Sequence, residues 1–98
     1  MDSSAAIAIL RTHRDPLERR GVLHAAVFGS VARGEAHAAG DLDVRIDIDE
    51  TTIRDVYDYV GVIGFITDLF PVAVDMAERA MMKPHVRPGT ERDAIHAF

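Results

Sequence analysis

The most regular pattern in the chain is DLDVRIDID, where Leu42, Val44, Ile46 and Ile48 alternate with Asp41, Asp43, Arg45, Asp47 and Asp49. Period-two alternation predicts a strand with one buried face and one polar face. VLHAAVFG is almost wholly apolar and predicts a second strand. PVAVDMA predicts a third, with Val72, Val74 and Met76 on one face and Asp75 on the other. Helical spacing marks the rest. SSAAIAILRTHRD carries Ile7 and Leu10 behind a serine cap, and Pro16 opens a short second helix, PLERRG, that stops at Gly21. SVARGEAHA predicts another short helix, weakened by Gly34. In TTIRDVYDYVGVIGFITDLF, residues Ile53, Val56, Tyr57, Val60, Ile63 and Thr67 fall at helical spacing, with Thr51 or Thr52 as cap. ERAMMKPHVRPGTERDAIHAF predicts a short helix, a proline-marked break and a terminal helix. Helices thus alternate with strands from end to end, which predicts an α/β domain with a small sheet covered by helices.

The length of 98 residues, without repeats, low-complexity tracts or a long linker, predicts one domain over residues 1–98. No apolar run reaches the length of a membrane span, and the start lacks the basic stretch of a secretory signal. Absence of cysteine excludes disulfides and thiolate metal sites. A cytoplasmic protein is the expectation. The net charge of −5 argues against a DNA-coating surface, so direct DNA binding is not expected. It does not exclude nucleotides, since bound cations reverse local charge. The chain has no Asn, Gln or Trp, so any base recognition falls to backbone groups, arginine or apolar contacts.

The candidate chemistry lies in FGSVARGEAHAAGDLDV, residues 28–44. Asp41 and Asp43 are two apart on a strand and share a face, with Cα atoms roughly 7 Å apart. At an effective dielectric of about 20, that pair repels by on the order of 2 kcal/mol. If the PVAVDMA strand is a neighbour, Asp75 adds a third carboxylate. The sequence offers too few nearby Lys or Arg to neutralise three. Divalent cations would, and Mg²⁺ favours carboxylates and phosphates. Two ions about 4 Å apart suit phosphoryl transfer. Gly29 ends a strand and lets the backbone approach a ligand. Ser30 then starts a helix whose free N–H groups favour an anion, and Arg33 is one turn on. Each half of this arrangement alone also fits an ordinary solvated strand face or turn, which is the reading given to Asp47 and Asp49. Glu35 has no assigned role.

Joined at this spacing, the stretch resembles the G-S-x10-D-x-D signature of the polymerase-beta-like nucleotidyltransferases, and most of all their minimal nucleotidyltransferase domains. RRGV before it and VAVDMAERAMMKP after it resemble the same family. The resemblance implies a small mixed β-sheet flanked by helices. It implies that Gly29 and Ser30 bind the triphosphate, that Asp41 and Asp43 bind metal, and that Asp75 binds one metal and helps activate the attacking hydroxyl. Gly40 stands where the family often has serine, while all three acidic positions remain. It further implies an antitoxin that uses Mg²⁺ and ATP to place AMP on a tyrosine of a cognate HEPN ribonuclease toxin, releasing pyrophosphate. With the chain ending at Phe98, the acceptor is expected to be held by another chain or to be small. Two alternatives remain open: an antitoxin that neutralises by binding alone, and a transferase for a small hydroxylated molecule.

Other residues carry less. His13, His24, His37, His85 and His96 are scattered without ligand spacing. The HRD at His13 lacks the downstream Asn and the chain length of a kinase. Tyr57 and Tyr59 read as packing and surface, Met81 and Met82 as core or partner-facing, and Lys83 as a solvated lysine.

Overall fold

The computed structural model describes residues 1–29, 42–78 and 94–98. The chain begins with α1 (Ser3–Thr12). Its cap is Asp2, whose Oδ1 accepts the Ala5 N–H at 2.8 Å. The cap is therefore the residue before the expected serine, because Asp2 keeps extended backbone while Ser3 already turns with the helix. His13 links α1 directly to α2 (Arg14–Arg19). Pro16 lies inside the first turn of α2, where its missing N–H has no intrahelical partner to lose. Gly21 ends the pair with φ +102°.

A mixed four-stranded sheet follows, in the order β3-β2-β1-β4. Strands β1 (Val22–Phe28) and β2 (Leu42–Ile48) are antiparallel, with Val27 opposite Val44 and Ala25 opposite Ile46. The register shifts between Val22 and His24. This irregularity puts Val22 on the core side together with Ala25 and Val27, and leaves Leu23 half exposed. The core-side residues Leu42, Val44 and Ile46 complete that face. It packs against Ala6, Ile7 and Leu10 of α1 and Leu17 of α2.

Helix α3 (Val56–Asp68) crosses over to β3 (Val74–Glu78), which runs parallel to β2. The expected threonine cap is corrected. Asp55 caps α3 by accepting the Asp58 N–H at 2.9 Å. Thr51 and Thr52 belong to a preceding turn built on Asp49, whose carbonyl accepts the Thr52 and Ile53 N–H groups. Helical spacing alone leaves open whether the face built on Val56, Val60 and Ile63 serves the core or a partner. Val62 and Ile66 face the core, whereas Val56, Tyr57 and Val60 are 64%, 84% and 60% exposed. Ile53 enters the core before the helix begins, so its position does not set the helical phase.

The predicted terminal helix is overturned where it can be seen. Ile95–His96 forms β4, antiparallel to β1, with Ala26 opposite His96 and Val27 opposite Ile95. An open strand edge offers a ladder of unpaired backbone groups that local helical spacing cannot outweigh. The Arg11 guanidinium holds β4 in place: Nε donates to the Ala97 carbonyl at 2.8 Å and Nη2 to the His96 carbonyl at 3.3 Å. The SVARGEAHA helix and the segment holding Met81, Met82 and Lys83 lie outside the described residues. Among the described residues no helix is long and apolar enough to cross a membrane.

Candidate functional site

One face of the sheet is consumed by the helices. On the other, the ends of β1, β2 and β3 bring three sequence-predicted residues together. Phe28, the last residue of β1, lies opposite Asp43. Gly29 then turns the chain with φ +73°, a conformation that suits glycine. A Cβ placed on Gly29 would collide with Oδ2 of Asp43 and stand 3.1 Å from its Cγ. Glycine is therefore required twice, by the backbone angle and by the carboxylate against it. The two halves of the motif, fourteen residues apart by subtraction of 29 from 43, are in physical contact.

Across the next ladder Asp43 is in register with Asp75. The strands are parallel neighbours, so both side chains leave the same face about 4.8 Å apart at the backbone. Asp43 is half-buried and Asp75 exposed. Two carboxylates so placed repel by about 1 to 3 kcal/mol, from the dielectric of water down to an effective value of about 20. Oxygen donors on one face, with net negative charge, fit a hard divalent cation. Among the described residues no group of three His, Asp or Glu converges for a metal. Asp41, the further predicted carboxylate, lies outside the described residues, as do Ser30 and Arg33.

Two residues of the same strand region behave differently from the sequence expectation. Asp49 is not simply solvated. Its Oδ1 accepts the Thr51 hydroxyl at 2.6 Å and the Thr51 N–H at 2.9 Å. The Thr51 hydroxyl, then its N–H, hold the Asp49 carboxyl below its usual 3.8. Asp49 thus organises the turn that leads from β2 toward α3.

Arg45 is the residue that sequence reasoning missed. The alternation alone marks it as one more polar member of the strand. It is 4% exposed, and its Nη1 is buried without a hydrogen-bond partner. Its ladder partners are Ala26 on β1 and Ala77 on β3. By strand alternation it shares the face of Asp43 and Asp47, each two residues away, roughly 7 Å along the strand. Burying an ion costs several kcal/mol. Among the described residues, no ion pair joins Arg45 to either aspartate. The available signal was the spacing: an arginine two residues after an aspartate on a strand lies on the aspartate's face.

Comparison with known proteins bears on this geometry. A sequence profile described as the nucleotidyltransferase domain matches residues 10–96. The chain is 30% identical to a Methanocaldococcus jannaschii protein provisionally named a protein adenylyltransferase, over 90% of each chain. It is 29% identical to the protein adenylyltransferase MntA of Thermococcus cleftensis, over 91% of this chain and 89% of that one. The solved structure of a provisionally assigned minimal nucleotidyltransferase superposes with a TM-score of 0.71 at 32% identity, covering 97% of this chain and 95% of the other. A toxin–antitoxin crystal structure with AMP-PNP shares the fold, with a TM-score of 0.68 at 13% identity, covering 90% of this chain and 72% of that one.

Proposed function

We propose, from the premise that this chain belongs to the nucleotidyltransferase domain family, that it is a protein adenylyltransferase acting as an antitoxin. Its substrate is ATP, and its acceptor is a tyrosine hydroxyl of a cognate HEPN ribonuclease toxin. The observation that carries the reading is the convergence of Gly29, Asp43 and Asp75 at one end of the sheet. The names of its relatives, a protein adenylyltransferase and a toxin–antitoxin structure with an ATP analogue, support the class of donor and partner.

In this reading Gly29 brings the backbone close to the triphosphate, and Ser30 and Arg33 bind its oxygens. The tyrosine oxygen attacks the α-phosphorus, and the bond from that phosphorus to the β-bridging oxygen breaks. AMP remains on the tyrosine and pyrophosphate leaves. Asp75, on the exposed side of the pair, takes the hydroxyl proton. Asp41, Asp43 and Asp75 are the residues that would hold Mg²⁺, two ions in all, which when bound neutralises charge on the transferring phosphate. Catalysis here is mainly positioning and charge compensation.

A second reading has one observation in its favour. Val56, Tyr57 and Val60 present apolar surface on the outer side of α3, which suits an antitoxin that neutralises by occlusion. Intact mass spectrometry of the toxin after incubation with this protein, Mg²⁺ and ATP separates the two. A nucleotide-sized increment with the wild type and none with Asp43→Asn is the expected result. A tight complex with no increment under any nucleotide would give the occlusion reading the field.

A further inference from the structure

The core takes Val62 and Ile66 from α3 and leaves Tyr57, in its first turn, 84% exposed. Among the described residues the Tyr57 hydroxyl has no hydrogen-bond partner. An aromatic ring that the core does not use is available to another molecule. The chain's other tyrosine, Tyr59, is half-buried against the core. Beside Tyr57 lies a cleft of about 300 Å³ lined by Arg20, Thr52, Tyr57, Asp58, Gly61 and Val62. Arg20 supplies its positive charge. The guanidinium carbon lies 4.2 Å from the centroid of the Phe65 ring, and among the described residues no ion pair occupies it. A guanidinium held on an aromatic face is preorganised to pair with a phosphate. Asp58 supplies the negative charge, and its Oδ2 already accepts the Arg54 N–H. The cleft lies at the end of the sheet away from the carboxylates. Val22, which follows Arg20 and Gly21, pairs with Ile48 at the far end of β2, and Val56 lines a groove with Ile48. Between Asp43 and Ile48 the strand spans roughly 17 Å. Tyr57 therefore does not reach the site of its own chain.

We infer that Tyr57 is itself an acceptor of AMP, modified by a second copy of this chain. The inference rests on the proposal that the site transfers AMP from ATP to a tyrosine hydroxyl. In the step, the Tyr57 oxygen of one molecule attacks the α-phosphorus of ATP held by the other. The bond from that phosphorus to the β-bridging oxygen breaks and pyrophosphate leaves. The phenol proton passes to the Asp75 carboxylate of the second copy. The product is a phosphodiester with one negative charge, formed at the cleft where Arg20 pairs with it. The outer surface of α3, apolar at Val56 and Val60, thereby gains a charge and a nucleoside.

The test incubates the full chain with Mg²⁺ and ATP in the absence of toxin, then reads its intact mass and the modified residue by mass spectrometry. One nucleotide-sized increment at Tyr57 is expected in the wild type and none in Tyr57→Phe, which still labels the toxin as the wild type does. Tyr57→Phe keeps the site and Asp43→Asn keeps the acceptor. A mixture of the two is therefore expected to carry the increment on the Asp43→Asn chain, because transfer runs between molecules. Arg20→Gln, its fold established by circular dichroism, is expected to lower self-labelling by about tenfold while sparing the toxin reaction. An increment on another residue, or none in a wild type that labels the toxin, would overturn the inference and leave the proposed function standing. An unlabelled Asp43→Asn chain in the mixture would overturn transfer between copies, and unchanged self-labelling in Arg20→Gln would overturn the role of the cleft. If neither the toxin nor this chain gains mass, the proposed function fails and the inference fails with it.

Discussion

Replacing Gly29 with alanine perturbs the site through a single methyl group. At φ +73° an L-residue in the left-handed region costs roughly 1 to 2 kcal/mol. For a domain of this size each kcal/mol lowers Tm by about 4 to 8 °C, so Gly29→Ala is expected to melt roughly 4 to 16 °C lower. The second effect is local. The new Cβ would collide with Oδ2 of Asp43, with Cγ only 3.1 Å away, so the carboxylate must rotate off its present position. Misplacing a catalytic group by about 1 Å is enough to cost on the order of 10²-fold in rate. Gly21→Ala is the control. Its φ of +102° carries a similar backbone penalty, and its Cβ would press on Ile53 Cγ1 at 2.8 Å, away from the carboxylates. Both variants are expected to lose thermal stability, while only Gly29→Ala loses nucleotidyl transfer when assayed well below its Tm. Full activity in Gly29→Ala, or an equal loss in both variants, would refute the argument that Gly29 works through its contact with Asp43.

Three further outcomes follow from the same structure. Asp43→Asn is expected to lower transfer by at least about 10³-fold under the proposal that it holds a catalytic metal ion; single-turnover mass spectrometry checks it. Asp49 has a depressed carboxyl pKa, so its contribution to stability is full above its usual 3.8 and is lost as pH falls through the lower folded value. The stability gap between wild type and Asp49→Asn in urea melts is therefore expected to close on acidification below 3.8. Arg11→Met removes the hydrogen bonds to the Ala97 and His96 carbonyls. The Ala97 amide, bonded to the Ala25 carbonyl at 2.8 Å, is then expected to exchange with deuterium at least about tenfold faster, from a loss of roughly 1.5 kcal/mol or more.

Much of this protein is legible in one dimension because short-range rules govern those parts. Alternation in DLDVRIDID fixes which side of β2 is buried, since neighbouring side chains on a strand must point to opposite faces. The same rule puts Asp75 opposite Val74 and Met76. The spacing of Gly29 from Asp43 marks the candidate site because few other roles ask for glycine and paired carboxylates at that separation. What the sequence leaves open depends on contacts between distant segments. The last strand is an example: Ala94, Ile95, Ala97 and Phe98 are compatible with helix, and only the free edge of β1 and the Arg11 guanidinium make Ile95–His96 a strand. The phase of α3 is another, since Val62 and Ile66 win the core over Val56 and Val60 only once Asp55 sets where the helix begins. Asp49 and Arg45 look alike in the pattern, as charged members of one strand region. Tertiary structure separates them: Asp49 gains two threonine partners at the rim, and Arg45 is buried with Nη1 unpartnered. Burial and register are properties of the assembled sheet, so a charge's surroundings, unlike its face, are decided only when the strands meet.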